Sequence, residues 1–365
     1  MMIVVDAREL RTSSGRYIER LLNYLQDIDK TNDYRVLLKP ADMDGWNPKN
    51  PKFTKLFCHF KEFTFSEQIG LLAQIKRIKP DLVHFAFVQQ PILYRGKVVT
   101  TMHDLTTARF RNPSKNFLVF AFKQLVYRRV NKIVARKSDA IITPTQYTKE
   151  DVAKFARINS RKITVTYEAA DRIEGIPKPI EQLVNQSFIL YIGRSVPHKN
   201  LVRLMASFVL LKQKHPELKL VLAGKKDALY RRLEKRAEDM GAGDTVFTGF
   251  VSEEELKWLY KNTEAYVFPS LSEGFGLPGL EAMIEGAPVV SSHATSLPEV
   301  YGEAAIYFDP YDITDMAAKI NQVLTNKKLR SQLVKNGRKQ AAKYSWRRTA
   351  EQTLSVYNSV LEQQD

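Results

Sequence analysis

The chain predicts an α/β protein with two doubly wound parallel sheets, and three observations carry that expectation. Short β-branched runs alternate with amphipathic segments in both halves of the 365 residues. The runs lack the polar alternation of a half-exposed strand, so they read as strands covered on both faces, which parallel sheets require. The alternation breaks once, at "DRIEGIPKPIEQLVNQS", and then restarts.

In order, "MIVVD", "YRVLL", "DLVHF", "KVVTTM" and "DAIITP" read as the strands of the first sheet. Between them "GRYIERLLNYLQDI", "SEQIGLLAQIKRI" and "SKNFLVFAFKQLVYRRVNKIVARK" have helical periodicity. The proline-bearing, aperiodic break marks a linker around residues 171 to 186. Beyond it come "FILYIG", "LKLVLAG", "DTVFTG", "AYVFPS", "APVVSS" and "AAIYFD", each separated from the next by a helical pattern. The chain from about Asp312 onward is helical and polar on one side. The domains are therefore expected at residues 1–171 and 172–344, with a terminal helix at 345–365.

The single cysteine, Cys58, cannot form an internal disulfide, which fits a reduced, cytoplasmic setting. The opening apolar run is too short for a signal or a membrane span. With 56 basic and 40 acidic residues the formal charge is +16, which suits nucleic acid, an anionic membrane surface or a phosphorylated ligand. No acid occurs between Asp104 and Asp139, while Arg109, Arg111, Lys115, Lys123, Arg128, Arg129, Lys132, Arg136 and Lys137 all fall there.

In open α/β sheets the informative loops follow strands. After "FILYIG" comes "RSVPHKN", which sets Arg194 and Lys199 at the opening of a helix. Helix N-termini present free N–H groups and partial positive charge, so two added cations make a diphosphate site; two solvated surface cations are the plain alternative. After "AYVFPS" comes "SLSEGFGLPGLEAM", with Gly274, Gly276 and Gly279 at dinucleotide-fingerprint spacing. A carboxylate at Glu273 would oppose a pyrophosphate there. It suits a ligand that presents hydroxyls, such as a sugar. Glu281, eight residues on, is expected in the first turn of the following helix, where it could grip a second diol or simply complement the helix dipole. Further along, "SLPEV" is expected to cap a helix beside this loop.

"PSLSEGFGLPGLEAM" with "GRSVPHKN" upstream, "SGRYIERLL" near the start and "MHDL" after a mid-domain strand resembles the retaining glycosyltransferases of family 4. The resemblance covers essentially the whole chain and is nearest to bacterial polysaccharide mannosyltransferases. It implies the GT-B fold, two Rossmann-like domains facing across a cleft. The first would serve the acceptor and be completed by the C-terminal helix; the second would bind the nucleotide sugar.

The resemblance also assigns roles. Arg194 and Lys199 would hold the donor diphosphate, with Gly15 approaching the phosphates or the acceptor from the opposite wall. Glu273 and the amides around Phe275, Gly276 and Leu277 would bind the transferred sugar, beside His103 and the supporting Asp104; His103 and Glu273 are the catalytic candidates. Glu281 would bind the ribose, and Gly249, Phe250 and Val251 would lie near the base. Two departures stand out: His198 occupies a position where the family commonly has a basic residue, and Ser13 and Ser14 precede Gly15 where a double glycine is common.

The implied reaction is a front-face transfer of a hexose, mannose first, in which the leaving phosphate takes the acceptor's proton. It builds a glycan or lipid-linked glycan for a cell-surface polysaccharide, from a GDP-sugar or UDP-sugar. Neither a cofactor nor a metal is expected, on the view that the chain lacks an acidic cluster of the Asp-x-Asp kind.

In "NFLVFAFKQLVYRRVNKIVARK" Leu118, Phe122, Leu125, Val126 and Ile133 recur at helical spacing, and Arg128, Lys132 and Arg136 follow at i, i+4. One reading is a helix packed on the sheet with a solvated basic face. The other is a patch of Arg128, Arg129, Lys132 and Arg136 facing an anionic bilayer, peripheral on the inner face of the cell membrane. His59, His84, His215 and His293 have no ligand spacing and read as structural. An NAD-dependent oxidoreductase would need its glycine motif in the first βαβ unit, where "RELRTSSGRY" stands instead. A basic nucleic-acid-binding protein rests on net charge alone, and a GT-B-fold sugar-nucleotide epimerase is a weaker rival.

Overall fold

The computed structural model describes residues 1–12, 15–110 and 117–363. Its first sheet comprises β1 (Met2–Asp6), β2 (Asp33–Leu38), β3 (Phe53–Phe57), β4 (Leu82–Phe85), β5 (Val98–Thr101), β6 (Ala140–Thr143) and β7 (Ile163–Val165), in the order β3-β2-β1-β4-β5-β6-β7. Every neighbouring pair is parallel. Five of these strands are the apolar runs read from the sequence. β3 and β7 are additional, and both lie at edges, where one side of the strand goes unpaired and a continuous apolar run is not required.

The helices along this part of the chain are α1 (Gly15–Ile28), α2 (Leu72–Ile78), α3 (Thr106–Arg109), α4 (Phe117–Lys137) and α5 (Gln146–Ala156). Val4, Leu37, Val83, Phe85 and Val98 form one buried cluster of its core. Met102, Leu105, Ala135, Ile141 and Val152 form another. Arg8, just past β1, is also fully buried. Its guanidinium donates to both Asp6 oxygens at 2.8 and 2.7 Å, to Glu67 at 2.8 Å and to the Phe60 carbonyl at 3.0 Å. Burial raises the Glu67 carboxyl and the Arg8 charge partly offsets it.

The second sheet comprises β8 (Phe188–Ile192), β9 (Lys219–Ala223), β10 (Thr245–Gly249), β11 (Ala265–Phe268), β12 (Val289–Ser292) and β13 (Ala305–Phe308), in the order β10-β9-β8-β11-β12-β13, again all parallel. Its helices are α6 (Leu201–Lys212), α7 (Ala228–Asp239), α8 (Glu253–Asn262), α9 (Leu277–Glu285), α10 (Leu297–Tyr301), α11 (Ile313–Thr325) and α12 (Lys327–Ala341).

The final helix, α13 (Trp346–Glu362), belongs to the first unit. The Thr349 hydroxyl donates to the Tyr167 carbonyl at 2.5 Å, and Tyr357 meets the ring of His84 on β4 at 2.6 Å. The two compact units are residues 1–108, 121–168 and 345–365, and residues 109–120 with 169–344. The main division thus falls at Glu168/Ala169, ahead of the proline-bearing stretch. That stretch is tied to the second unit by hydrogen bonds from Ile173 N to Glu285 at 3.1 Å and from Lys257 Nζ to the Gly175 carbonyl at 2.9 Å.

Candidate active site

In the second sheet the strand order reverses between β8 and β11, and ligands of open parallel sheets bind outside the strand ends at such a reversal. The loops that follow these two strands are "GRSVPHKN" and "PSLSEGFG". Topology therefore brings together the cation loop and the glycine loop, which lie some 75 residues apart in sequence, as Lys199 and Glu273 show. The Leu271 N–H donates to the His198 carbonyl at 2.7 Å, joining the loops through their backbones.

Lys199 Nζ and Glu273 Oε1 lie 2.5 Å apart, both largely buried. The ammonium also sits 5.4 Å from the Phe268 ring centroid. Arg194 is exposed, and its carbonyl accepts from the buried Tyr191 hydroxyl at 3.2 Å. Asn200, next to Lys199, adopts a left-handed conformation with φ 61°. Its buried amide donates to the carbonyls of Pro269 and Pro310 at 3.1 and 2.7 Å, fixing the start of α6 against the glycine loop. Nothing in the local sequence marks that role, because both acceptors are distant main-chain atoms.

The glycine loop is fixed from behind by α10 and the turn before it. Thr295 Oγ1 accepts from the Glu273 N–H at 3.0 Å, and the Ser296 hydroxyl donates to the Glu273 carbonyl at 2.9 Å. Ser296 takes the N-cap position of α10, as expected of "SLPEV", but spends its hydroxyl on Glu273 and makes no side-chain cap bond. Gly276 has φ 100° and precedes α9. The Tyr301 hydroxyl donates to its carbonyl at 2.6 Å. A Cβ on Gly279 would lie 2.2 Å from that hydroxyl oxygen, so the glycine spacing is needed by packing as well as by any ligand. Phe275 turns inward against Tyr344, centroids 5.4 Å apart, which leaves main chain rather than its ring for a sugar.

Glu281 is not in the first turn of α9. It is the fifth helical residue, buried, with the Tyr260 hydroxyl 3.3 Å from Oε2. Dipole complementation at the helix start therefore does not account for it. At the end of β10, Gly249 adopts φ 75° and takes the Tyr230 hydroxyl as acceptor for its N–H at 2.7 Å. The following Phe250 is 87% exposed, and Val251 is half-buried.

In the first unit, Gly15 opens α1 so close to the preceding turn that a Cβ would lie 1.8 Å from the Leu10 carbonyl oxygen. His103 follows β5. Its Nδ1 lies 3.0 Å from Glu168 and its Nε2 lies 3.1 Å from the Ala86 carbonyl. Asp104 accepts from the Thr106 N–H at 2.7 Å, holding the loop at the start of α3. Glu168 escapes sequence reasoning because its link to His103 spans 65 residues.

One sequence expectation about metals needs correction. Asp42-Met43-Asp44 does have Asp-x-Asp spacing. Asp42 is buried and lies 3.8 Å from Arg11, and no group of three metal-ligating side chains occurs among the described residues.

Helix α4 reverses the packing that a sheet-covering helix would show. Phe122, Leu125, Val126 and Ile133 are 66%, 47%, 43% and 43% exposed, whereas Asn131, Val134 and Ala135 are buried. By helical spacing the exposed Arg129 and Arg136 share the face of this apolar stripe, while Arg128 and Lys132 at its side lie 6.0 and 5.2 Å from the Phe155 ring centroid. Among the described residues no helix is long and apolar enough to cross a membrane. Ser13, Ser14, Arg111 and Lys115 lie outside the described residues, as does the side chain of Leu118.

Comparison with known proteins gives the family and the fold. The model "Glycosyltransferase Family 4" matches residues 15–172, and "Glycosyl transferases group 1" matches residues 174–340. The O-antigen chain mannosyltransferase B of Escherichia coli is 32% identical over 72% of this chain and 70% of its own. The serotype-specific mannosyltransferase WbdA of the same species is 29% identical over 98% of this chain, which spans only 47% of it. Among solved structures, Anabaena HepE in complex with UDP and glucose superposes with a TM-score of 0.75 over 98% of this chain and 100% of that one. At 16% identity, that likeness shows the fold.

Proposed function

The chain belongs to the family 4 glycosyltransferases and has their GT-B α/β architecture, and from that premise we propose which group it transfers and how. The donor is a nucleoside-diphosphate hexose, GDP-mannose first and a UDP-sugar second. The acceptor is a glycan or lipid-linked glycan of a cell-surface polysaccharide. The mannosyltransferase relatives support the sugar, and the UDP and glucose bound to HepE support the donor class.

The observation that carries the reading is the Lys199–Glu273 pair at the reversal of the second sheet. One loop supplies cations for a diphosphate and the other a carboxylate for sugar hydroxyls, and their contact puts those two chemistries next to each other, as a sugar diphosphate has them. In the proposed step the bond between C1 and the phosphate oxygen breaks while the acceptor oxygen bonds to C1 on the same face. The acceptor proton passes to the departing phosphate. Arg194, Lys199 and the α6 N-terminus stabilise the charge that develops there, so no metal is required. Glu273 positions the sugar, Glu281 the ribose, Phe250 the base, and His103 with Asp104 serves the transferred sugar.

The exposed apolar stripe of α4, with basic residues on and beside it, supports peripheral attachment to an anionic bilayer, where a lipid-linked acceptor resides. The catalytic reading is tested by supplying GDP-mannose or UDP-glucose with a synthetic lipid-linked acceptor in the presence of EDTA, and by reading the anomeric configuration of the product by NMR. An α-linked product from the α-donor is expected. A β-linked product, or transfer only with added metal, overturns it.

A further inference from the structure

The two ring nitrogens of His103 each face an oxygen, Glu168 Oε1 at 3.0 Å and the Ala86 carbonyl at 3.1 Å. A carbonyl oxygen only accepts hydrogen bonds, and so does an ionised carboxylate. A neutral imidazole has one N–H and one lone pair, so either tautomer would aim a lone pair at one of these oxygens. With Glu168 ionised, both bonds form together only when each nitrogen carries a proton. The ring has little freedom to turn away. Tyr17 meets it edge-on at 4.7 Å and 82°, and Phe87 lies 4.9 Å away. The His103 and Glu168 side chains are 19% and 7% exposed, so water screens the pair weakly.

We infer that Glu168 holds His103 as an imidazolium, so that His103 acts in the transfer as a fixed positive charge with no lone pair to offer as a base, and Glu168 is its positioning residue. The part that concerns transfer rests on placing His103 in the donor-sugar site; the protonation itself does not.

The other titratable groups around the ring are consistent with one cation and one anion. Tyr17 turns its hydroxyl to Thr101 Oγ1 at 2.9 Å. Asp104, adjacent in sequence, accepts from the Thr106 amide. His84 on β4 is fully buried, and burial together with the neighbouring His103 pushes it down to about 3, so it stays neutral. Glu168 is thus the carboxylate that meets the ring by a direct hydrogen bond.

The test combines a spectroscopic and a kinetic readout on the full chain. In 15N-histidine NMR, with the His103→Asn spectrum assigning the resonance, both His103 nitrogens should show imidazolium shifts at neutral pH. In Glu168→Gln, which keeps the shape but removes the charge, one His103 nitrogen should instead show the shift of a bare nitrogen at that pH. The kcat of that variant should fall below that of the wild type at neutral pH, and the gap should narrow toward acid pH.

A bare nitrogen on His103 at neutral pH in the wild type overturns the inference. Activity that rises as His103 loses a proton overturns it too. If His103 is doubly protonated but Glu168→Gln and His103→Asn match wild-type kcat at every pH, the ion pair exists without a part in transfer. In that case it is the placement of His103 in the site that fails.

Discussion

Lys199 and Glu273 form a 2.5 Å ion pair across the two loops at the reversal of the second sheet. The cation proposed for the donor phosphates and the anion proposed for the donor sugar therefore share each other, and a bound diphosphate must compete for the ammonium. Glu273→Gln should accordingly bind free GDP or UDP more tightly than wild type while turning over more slowly, because the competing charge is gone and the sugar grip is weaker. Titration calorimetry with the nucleotide alone, set beside steady-state kinetics with the sugar nucleotide, separates the two effects. Weaker binding of the bare nucleotide by this variant would contradict the arrangement.

Tyr301 is wedged under the glycine loop, donating to the Gly276 carbonyl at 2.6 Å. Gly279→Ala places a methyl on the tyrosine oxygen and should cost about 1–3 kcal/mol in overpacking. Tyr301→Phe removes one hydrogen bond and should cost about 1 kcal/mol. Combining the two should be better than additive, since a tyrosine pushed aside by the methyl has already lost the hydrogen bond that Tyr301→Phe removes, while Cζ, 2.3 Å from the new Cβ, still meets it in both. Urea unfolding of both singles and the double checks this; strict additivity would argue against the wedge.

Asn200 combines a left-handed backbone with two amide bonds to buried carbonyls. Asn200→Gly keeps the backbone freedom but leaves both carbonyls without the amide, at about 1–3 kcal/mol. Asn200→Ala loses the amide and adds backbone strain, so it should be the less stable of the two by thermal melting. Equal melting temperatures would mean that the left-handed turn carries no strain.

His84 makes acid stability a property of the first unit. Burial lowers its folded pKa to about 3, from an ordinary value of 6.5. The unfolded chain then binds the extra proton first, so the contribution is intact above 6.5 and is lost as pH falls from there toward 3. The slope is about 1.4 kcal/mol per pH unit. His84→Gln should be less stable than wild type at neutral pH, having disturbed the bonds to Tyr357 and Thr101, yet lose less stability between about pH 6.5 and 5. Denaturation across that range reads the slope, and an unchanged slope would contradict the assignment.

The stripe on α4 separates lipid attachment from a merely basic surface. Phe122→Ser with Leu125→Ser should release the protein from vesicles containing anionic lipid, even with Arg128, Arg129, Lys132 and Arg136 intact. Reversing those four charges alone should weaken binding in a salt-dependent way. Sedimentation with vesicles reads both, and undiminished binding by the serine pair would show that the apolar stripe plays no part in attachment.

How much the sequence reveals follows from where each signal lies. Fully covered strands announce themselves as apolar runs, as "FILYI" of β8 and "LVLA" of β9 do. β3 exposes Thr54 at an edge, and β7 has three residues, so neither produces a run to read. Arg194, Lys199 and Glu273 are legible because their chemistry is written in two contiguous loops. Asn200, Thr295, Tyr301 and Glu168 act through partners far along the chain and carry no local mark. For α4 the helical period is plain, but which face meets the protein depends on neighbours such as Phe155, and the apolar stripe is the outer one.

The most direct measurement is a binding panel of GDP-, UDP-, ADP- and dTDP-sugars, by thermal shift, against the wild type and the Arg194→Ala/Lys199→Ala double variant. At about a hundredfold over its dissociation constant, the true donor should add roughly 2.7 kcal/mol to wild-type stability and nothing comparable to the variant. Stabilisation of both proteins alike, or of neither by any sugar nucleotide, would contradict the donor site described for the second sheet.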